Sequence, residues 1–283
     1  MKVRKPSQAG AFYAGERKAL IEEIKRCFLH KLGPRRLPSV NPKGGRRIVA
    51  LLCPHAGYTY SGPIASHSYY AMALDGVPDS AIILGPNHTG LGSGVSLMKE
   101  GVWETPLGKV EIDSELAEKI LVSSSLIDLD ETAHVYEHSI EVQLPFLQYL
   151  YGEKLKFVPI CMMMQDLETS VEVGKGIAEA SKGRNVVLIA SSDMTHYESG
   201  ESAKEKDKLA IEAILDLDES KLETVVHSRN ISMCGCGPVI SVIKASKLLE
   251  AEKAELLAYG TSGDITGDYS AVVGYASISI SKR

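Results

Sequence analysis

The chain has 283 residues and a formal net charge of −5, from 31 lysine and arginine residues against 36 aspartate and glutamate residues. The charges are scattered without a long basic block, which argues against a nucleic-acid partner, and no apolar run approaches the about 20 residues of a membrane helix. Because the N-terminus also lacks the features of a signal peptide, we expect a single cytoplasmic domain over residues 1–283, with no membrane partner.

Five cysteines, an odd number in a chain of this length, argue against a framework of disulfides. We expect reduced thiols, some of which can serve as ligands. From Glu16 to Leu32 the apolar residues recur at helical spacing, and the basic, Pro- and Gly-rich stretch from Pro34 to Arg46 is typical of a surface loop.

The segment Arg47–Cys53 is an apolar run without alternation, as expected for a strand that is covered on both faces. Pro54 ends this strand, because proline cannot donate to the ladder, and His55 follows. After a predicted helix over Ser61–Leu74, the chain repeats the pattern: Ser80–Gly85 is a second apolar run, followed by Pro86, Asn87 and His88. Ligands gather at the carboxyl ends of such strands, so the two imidazoles are candidates for one site.

The middle of the chain is predicted to contain a hairpin and two helices. Residues Val95–Ile112 alternate enough for a pair of strands around a turn at Glu104–Gly108, and Ser114 is predicted to cap a short helix. The segment Glu137–Glu141 is predicted to open a helix that runs to about Tyr151. Glu137, His138 and Glu141 would then lie on one helical face.

The second half continues the alternation of strands and helices that favours an α/β fold. The most apolar strand, Asn185–Ala190, leads into Asp193 and His196. Cys234 and Cys236 lie in a glycine-rich turn before a helix. The other predicted strands are Phe157–Cys161, Glu255–Gly260 and Ser270–Ser279, and the other predicted helices are Leu167–Ser181, Ser202–Leu215, Glu219–Val226 and Val239–Ala251.

Two neutral imidazoles and a thiolate suit Zn, Cu or Fe(II) and leave a coordination position open for water or substrate. His55, His88 and Cys234 are therefore the candidate metal ligands, and amides at the start of the following helix would lower the pKa of the Cys234 thiol. The alternatives are a structural histidine at a strand end and a small buried cysteine in a turn. Cys236 is the lesser candidate for the same site.

Asp193 and His196 are candidates for proton transfer. A carboxylate in this loop can orient a water or a metal ligand, and a histidine that titrates near neutrality can act as acid or base. The alternative for Asp193 is a turn or helix cap.

Five segments together resemble the Memo family, whose archaeal and bacterial members are called AmmeMemoRadiSam system protein B: Pro54–Tyr60, Leu84–His88, Glu137–Glu141, Ser191–His196 and Cys234–Gly235. That family is similar in fold to the class III extradiol dioxygenases, which are non-haem iron enzymes. The resemblance implies a three-layer α/β/α domain with a central mixed sheet, a metal held by His55, His88 and Cys234, and acid-base chemistry at His196. Around the metal and ligand we place Glu137, His138, Glu141, Tyr58, Asn87 and Cys236.

We therefore expect a dioxygenase-like oxidoreductase that uses Fe(II) or Cu on an unknown small ligand, with Asp193 and His196 as catalytic residues. Two alternatives remain open. The cleft can belong to a non-enzymatic module that binds a peptide or a small ligand, or the same residues can hold Zn in a hydrolase. Binding of phosphotyrosine peptides is described for the animal relative. We do not extend it to this chain, which has Cys236 and Gly237 where the relative has a basic residue and a histidine.

Overall fold

The structure is a computed structural model that describes residues 2–283. Apolar runs form strands at the centre of a large sheet, and amphipathic segments form the helices that cover it. The strands are β1 Val3–Arg4, β2 Ile48–Cys53, β3 Ser80–Pro86, β4 Val95–Leu97, β5 Val102–Thr105, β6 Gly108–Glu111, β7 Asp128–Leu129, β8 Lys156–Met162, β9 Val186–Ser191, β10 His196–Glu198, β11 Lys253–Thr261 and β12 Val272–Ser281. The helices are α1 Arg17–Leu29, α2 Tyr58–Asp75, α3 Ser114–Ser123, α4 Leu144–Tyr151, α5 Leu167–Ser181, α6 Gly200–Leu215, α7 Glu219–Ser228, α8 Cys236–Leu248 and α9 Gly263–Thr266.

The large sheet has nine strands and is mixed, as predicted. Its order is β10-β12-β2-β9-β3-β8-β4-β7, with β11 also paired to β12. The neighbours β2, β9, β3 and β8 are parallel, whereas β12 and β4 flank them in antiparallel pairing. Because β2, β9 and β3 are adjacent and parallel, their carboxyl ends meet at one edge of the sheet. His55, Asp193 and His88 follow these ends directly.

Helices cover both faces of the sheet, which gives the predicted three layers. On one side α2 packs on β2, β11 and β12, with α1 and α4 against it. On the other side α8 packs on β2, β3 and β9, with α5 and α7 against it. The central strands are buried throughout, which explains their continuous apolar sequences. None of the helices within residues 2–283 combines the length and the hydropathy that crossing a membrane requires.

A second, small sheet of three strands holds β1 against the rest of the protein. Strands β5 and β6 form the predicted hairpin, and β1 pairs with β5 in parallel. The chain then runs from β1 along the segment that carries His138, which brings the first residues close to the carboxyl edge of the large sheet.

The prediction of a helix that begins at Glu137 is wrong. Residues 137–140 form an irregular turn, a 3-10 turn follows at Glu141–Gln143, and α4 begins only at Leu144. The Glu137 carboxylate accepts the backbone N–H groups of His138 and Ser139, at 2.9 and 2.8 Å, so this turn closes on a side chain instead of on helical carbonyls. Glu137, His138 and Glu141 therefore do not share a helical face.

Several helix starts also differ from the prediction, and α2, for example, begins at Tyr58 instead of Ser61. The cap of α3 is Asp113 and not Ser114, because Oδ1 of Asp113 accepts the N–H of Leu116 at 3.0 Å. Helix α8 begins at Cys236, three residues earlier than predicted, so Pro238 lies in its first turn. Proline is tolerated there, since the first N–H groups of a helix have no partner within the helix.

Candidate metal centre

Three histidines converge at the carboxyl edge of the sheet. His55 follows β2, His88 follows β3, and His138 comes from the turn before α4. One ring nitrogen from each lies within 4.8 Å of the other two. The ring centroids of His88 and His138 are 4.5 Å apart, and each lies 5.3 Å from that of His55. This spacing can hold a metal ion.

A chain of hydrogen bonds determines which nitrogen of His55 is free. The Ser191 hydroxyl donates its only proton to the carbonyl of Ser139 at 2.6 Å and accepts an N–H of the Gln143 amide at 2.8 Å. Its contact of 2.9 Å with Nδ1 of His55 must therefore have Nδ1–H as donor. Nε2 of His55 therefore carries a lone pair and no proton, and its recorded neighbour is Sγ of Cys234 at 3.2 Å.

His88 is oriented by a buried carboxylate. Its Nδ1 lies 2.9 Å from Oε1 of Glu137, and its backbone N–H donates to Oε2 of the same carboxylate at 2.5 Å. A carboxylate is an acceptor only, so Nδ1 carries the proton and Nε2 is free. Histidine ligands of metals commonly have such a carboxylate partner, which fixes the ring and raises its basicity.

The protonation states suit a metal site. Burial alone would raise the pKa of Glu137, but the hydrogen bond and charge of His88, and the charge of His138, outweigh it and lower the value to about 2. Burial lowers the pKa of His138 to about 4 and the pKa of His55 well below 6.5. The Glu137 carboxylate is therefore ionised at neutral pH, and the imidazoles of His55 and His138 are neutral. These two histidines need not lose an extra proton before they bind a metal.

Cys234 lies beside this cluster. Its Sγ is 3.2 Å from Nε2 of His55, and the backbone N–H of Asp193 donates to Sγ at 3.3 Å. Burial, followed by the charge of Asp193, raises the pKa of the thiol, so the expectation of a lowered pKa is wrong. The amides at the start of α8 serve other acceptors: Gly235 N–H donates to Ser192, and Gly237 N–H donates to Gln165.

Asp193 and His196 border the same space. The Asp193 carboxylate accepts the backbone N–H of His55 at 2.7 Å, and burial raises its pKa to about 6. Nδ1 of His196 lies 2.8 Å from the carbonyl of Ser232 and must be its donor, because a carbonyl only accepts. Nε2 of His196 is left as a proton acceptor, and the residue lines the cavity next to the histidine cluster.

Four other residues were predicted near the site. Tyr58 donates to the carbonyl of Val142, and the Asn87 amide oxygen accepts N–H groups of the loop that follows His88. Cys236 is buried at the start of α8, and Glu141 pairs with Arg4. Of these four, none lines the cavity, and their functional roles stay predictions.

The N-terminal segment braces the turn that carries His138. Arg4 donates to the carbonyls of His134 and Glu137 at 2.6 and 2.9 Å, and to Oε2 of Glu141 at 2.5 Å. The Phe12 ring lies 4.6 Å from that of His138. The sequence pattern did not reveal this arrangement, because it joins residues more than 120 positions apart.

A cavity of about 650 Å³ opens outward from the histidines. Sequence reasoning missed several of its lining residues, namely Phe12, Tyr60, Tyr197, Asp268 and Tyr275. The last of these lies on β12, where alternation along the strand could have indicated an inward position but not which site it faces.

Comparison with known proteins decides the family. The model of the family described as "Memo-like protein" matches residues 4–279. The chain belongs to the Memo family. A MEMO1 family protein of Methanocaldococcus jannaschii is 56% identical, with 98% of each chain covered. One of Methanopyrus kandleri is 51% identical, over 97% of this chain and 98% of that one.

Among solved structures, an uncharacterized protein from Escherichia coli K12 has a similar fold. Its TM-score is 0.56 at 15% sequence identity, and the match covers 83% of this Memo chain and all of that protein. At this identity the likeness concerns the fold alone.

Proposed function

We propose that this Memo chain binds a redox metal, iron or copper, at His55 and His88, with His138 and Cys234 as further donors. The metal would serve redox chemistry on a small phenolic ligand in the cavity. One observation carries the proposal. In both His55 and His88 the hydrogen bond at Nδ1 leaves Nε2 as the nitrogen without a proton, and one ring nitrogen of each of these histidines and of His138 lies within 4.8 Å of the other two.

The donor set fits a metal of intermediate softness. Neutral imidazoles suit Zn, Cu and Fe(II), and a sulfur donor shifts the preference toward the softer ions. Metal binding at Cys234 must displace the thiol proton, because burial keeps that thiol protonated in the free protein. A bound iron or copper ion would supply Lewis acidity and one-electron chemistry.

His196 would manage the proton of the ligand. Its Nδ1–H is fixed on Ser232, so Nε2 can accept a proton from a phenol in the cavity and return it later. Asp193 would hold the backbone of His55 in place by accepting its N–H group. Both residues would therefore act at the border between the metal and the cavity.

Metal content and oxidation state after oxygen-free purification test this proposal. We expect stoichiometric iron or copper in the wild type and loss of it in His55→Ala, with weaker retention in His138→Ala and Cys234→Ser. The control is His227→Ala, which removes an exposed histidine of α7.

The proposal fails if the purified protein holds no redox metal and added Fe(II) or Cu(I) binds equally to the wild type and His55→Ala. Stoichiometric zinc together with hydrolysis that is insensitive to air would instead favour the hydrolase alternative.

A further inference from the structure

The outer wall of the cavity differs in character from the histidine end. Tyr60 of α2, Tyr197 of β10 and Tyr275 of β12 provide aromatic rings, and Asp193 and Asp268 provide carboxyl groups. Among the described residues that line this cavity there is no lysine or arginine. An anionic ligand would therefore meet no permanent positive charge from a side chain.

Tyr275 has a buried ring and an unused hydroxyl. The residue is 2% exposed, and its hydroxyl makes no hydrogen bond to any of residues 2–283. Apart from burial, the groups that raise the pKa of its phenol are Asp193, Tyr60 and Tyr197, all of which line the cavity. Tyr275 itself is one of the lining residues. A ligand that accepts or donates a hydrogen bond at this hydroxyl gains affinity.

Asp268 presents a fixed carboxylate at the cavity wall. Its Oδ1 accepts the backbone N–H and the hydroxyl of Ser270 at 2.9 and 2.7 Å. These hydrogen bonds lower the pKa of Asp268, which keeps the group ionised at neutral pH. Within the described part of the chain its Oδ2 has no donor, so one oxygen is available to a ligand.

Tyr197 displays a ring at the same wall. It is 79% exposed, and its backbone has a φ of 58°, a left-handed conformation that is rare for a residue with a side chain. It lies in β10 between His196 and Glu198, where the pairing with β12 is irregular. The faces of tyrosine rings attract cations, and a carboxylate nearby adds to that attraction.

We propose that this outer wall binds an organic ammonium group, so that the ligand of the cavity is a small aromatic amine. The ammonium would lie by Asp268 and the tyrosine rings, Tyr275 would hydrogen-bond the ligand, and the phenol end would point to the histidines. This inference rests on the proposed function for the histidine end. The inference specifies that the ligand carries a positive charge, a property that the proposed metal site leaves open.

Calorimetric titration with three probes tests the inference. Tyramine, 4-ethylphenol and 4-hydroxyphenylacetate share a para-substituted phenol and differ in charge. Titrations use the protein as purified and the same protein after treatment with a chelator. In the chelator-treated protein we expect tyramine to bind about tenfold more tightly than 4-hydroxyphenylacetate, with 4-ethylphenol between them.

Two substitutions test which residues determine the affinities for the probes. Asp268→Asn should lower tyramine affinity to that of 4-ethylphenol and leave 4-ethylphenol unchanged. The control is Asp218→Asn, an exposed carboxylate that caps α7 away from the cavity. Tyr275→Phe should weaken all three probes about fivefold, the value of one hydrogen bond. Its control is Tyr151→Phe, whose hydroxyl bonds to the carbonyl of Met72 outside this cavity.

The inference is overturned if the chelator-treated protein binds none of the probes or prefers 4-hydroxyphenylacetate. It is also overturned if Asp268→Asn leaves the preference for tyramine intact. Metal analysis of the same samples separates the two proposals. A preference for tyramine that depends on Asp268, in a protein without redox metal, would contradict the metal function alone. A metal-loaded protein without that preference would contradict the present inference alone.

Discussion

Arg4→Met should destabilise the protein far more than an ordinary change near a chain end. The side chains of Arg4 and Glu141 are 6% and 0% exposed, and their ion pair spans 2.5 Å. Removing one partner of a buried pair costs about 3–5 kcal/mol, because the other charge stays buried without compensation. Glu141 keeps donors from Ser7, Gln8 and Tyr13, so we expect the lower end, about 3 kcal/mol.

Urea denaturation measures this loss as a change in the free energy of unfolding. The matched control is Lys5→Met in the same segment, whose pair with Glu104 is exposed and should contribute little to stability. Adding Glu141→Gln to Arg4→Met removes the stranded charge and should recover part of the loss. The reasoning is refuted if Arg4→Met costs no more than Lys5→Met, or if the double variant is as unstable as the sum of the single ones.

Three other results are expected from the same geometry. Ser191→Ala should lower metal affinity about 10–100-fold although every metal ligand is kept, because it removes the acceptor that fixes the tautomer of His55. Metal-competition titration measures this affinity, and an unchanged value contradicts the prediction. Glu137→Gln should cost a similar factor, about 10–100-fold, and a spectrum of bound Co(II) identical to that of the wild type would count against the role of Glu137. Burial lowers the pKa of His134 from 6.5 to about 4, so between these two pH values the unfolded chain binds a proton that the folded protein does not. The free energy of unfolding should therefore fall by about 3 kcal/mol as the pH drops from 6.5 to about 4. Urea denaturation of His134→Phe at several pH values should lack this part of the pH dependence.

The parts of the fold that local patterns determine were predictable. The apolar run Ser80–Gly85 was predicted one residue short of β3, and the predicted bounds of helix Leu167–Ser181 match α5, which has Asp166 as its cap. A strand buried on both faces needs a continuous apolar run, and an amphipathic helix needs its own spacing, so each is visible in a short window. The convergence of His55 and His88 followed from the rule for strand ends.

Long-range hydrogen bonding explains what could not be predicted. The turn at residues 137–140 carries helix-forming spacing, yet the Glu137 carboxylate closes it and reaches across to His88. The partner of Glu141 is Arg4, which is 137 positions away. No local window contains such pairs. The placement of His138 in the cluster, instead of around it, depends on both of them.

The two histidines at the strand ends are held by acceptors of different charge. His55 donates to the neutral hydroxyl of Ser191, whereas His88 donates to the ionised carboxylate of Glu137. A carboxylate partner makes Nε2 of His88 the more basic donor and offsets part of the charge of a bound metal ion. His55 is the weaker donor and also the neighbour of Cys234, at 3.2 Å. A metal in this cluster would therefore be held most firmly on the Glu137 side, which leaves the Cys234 side as the place where ligation can change.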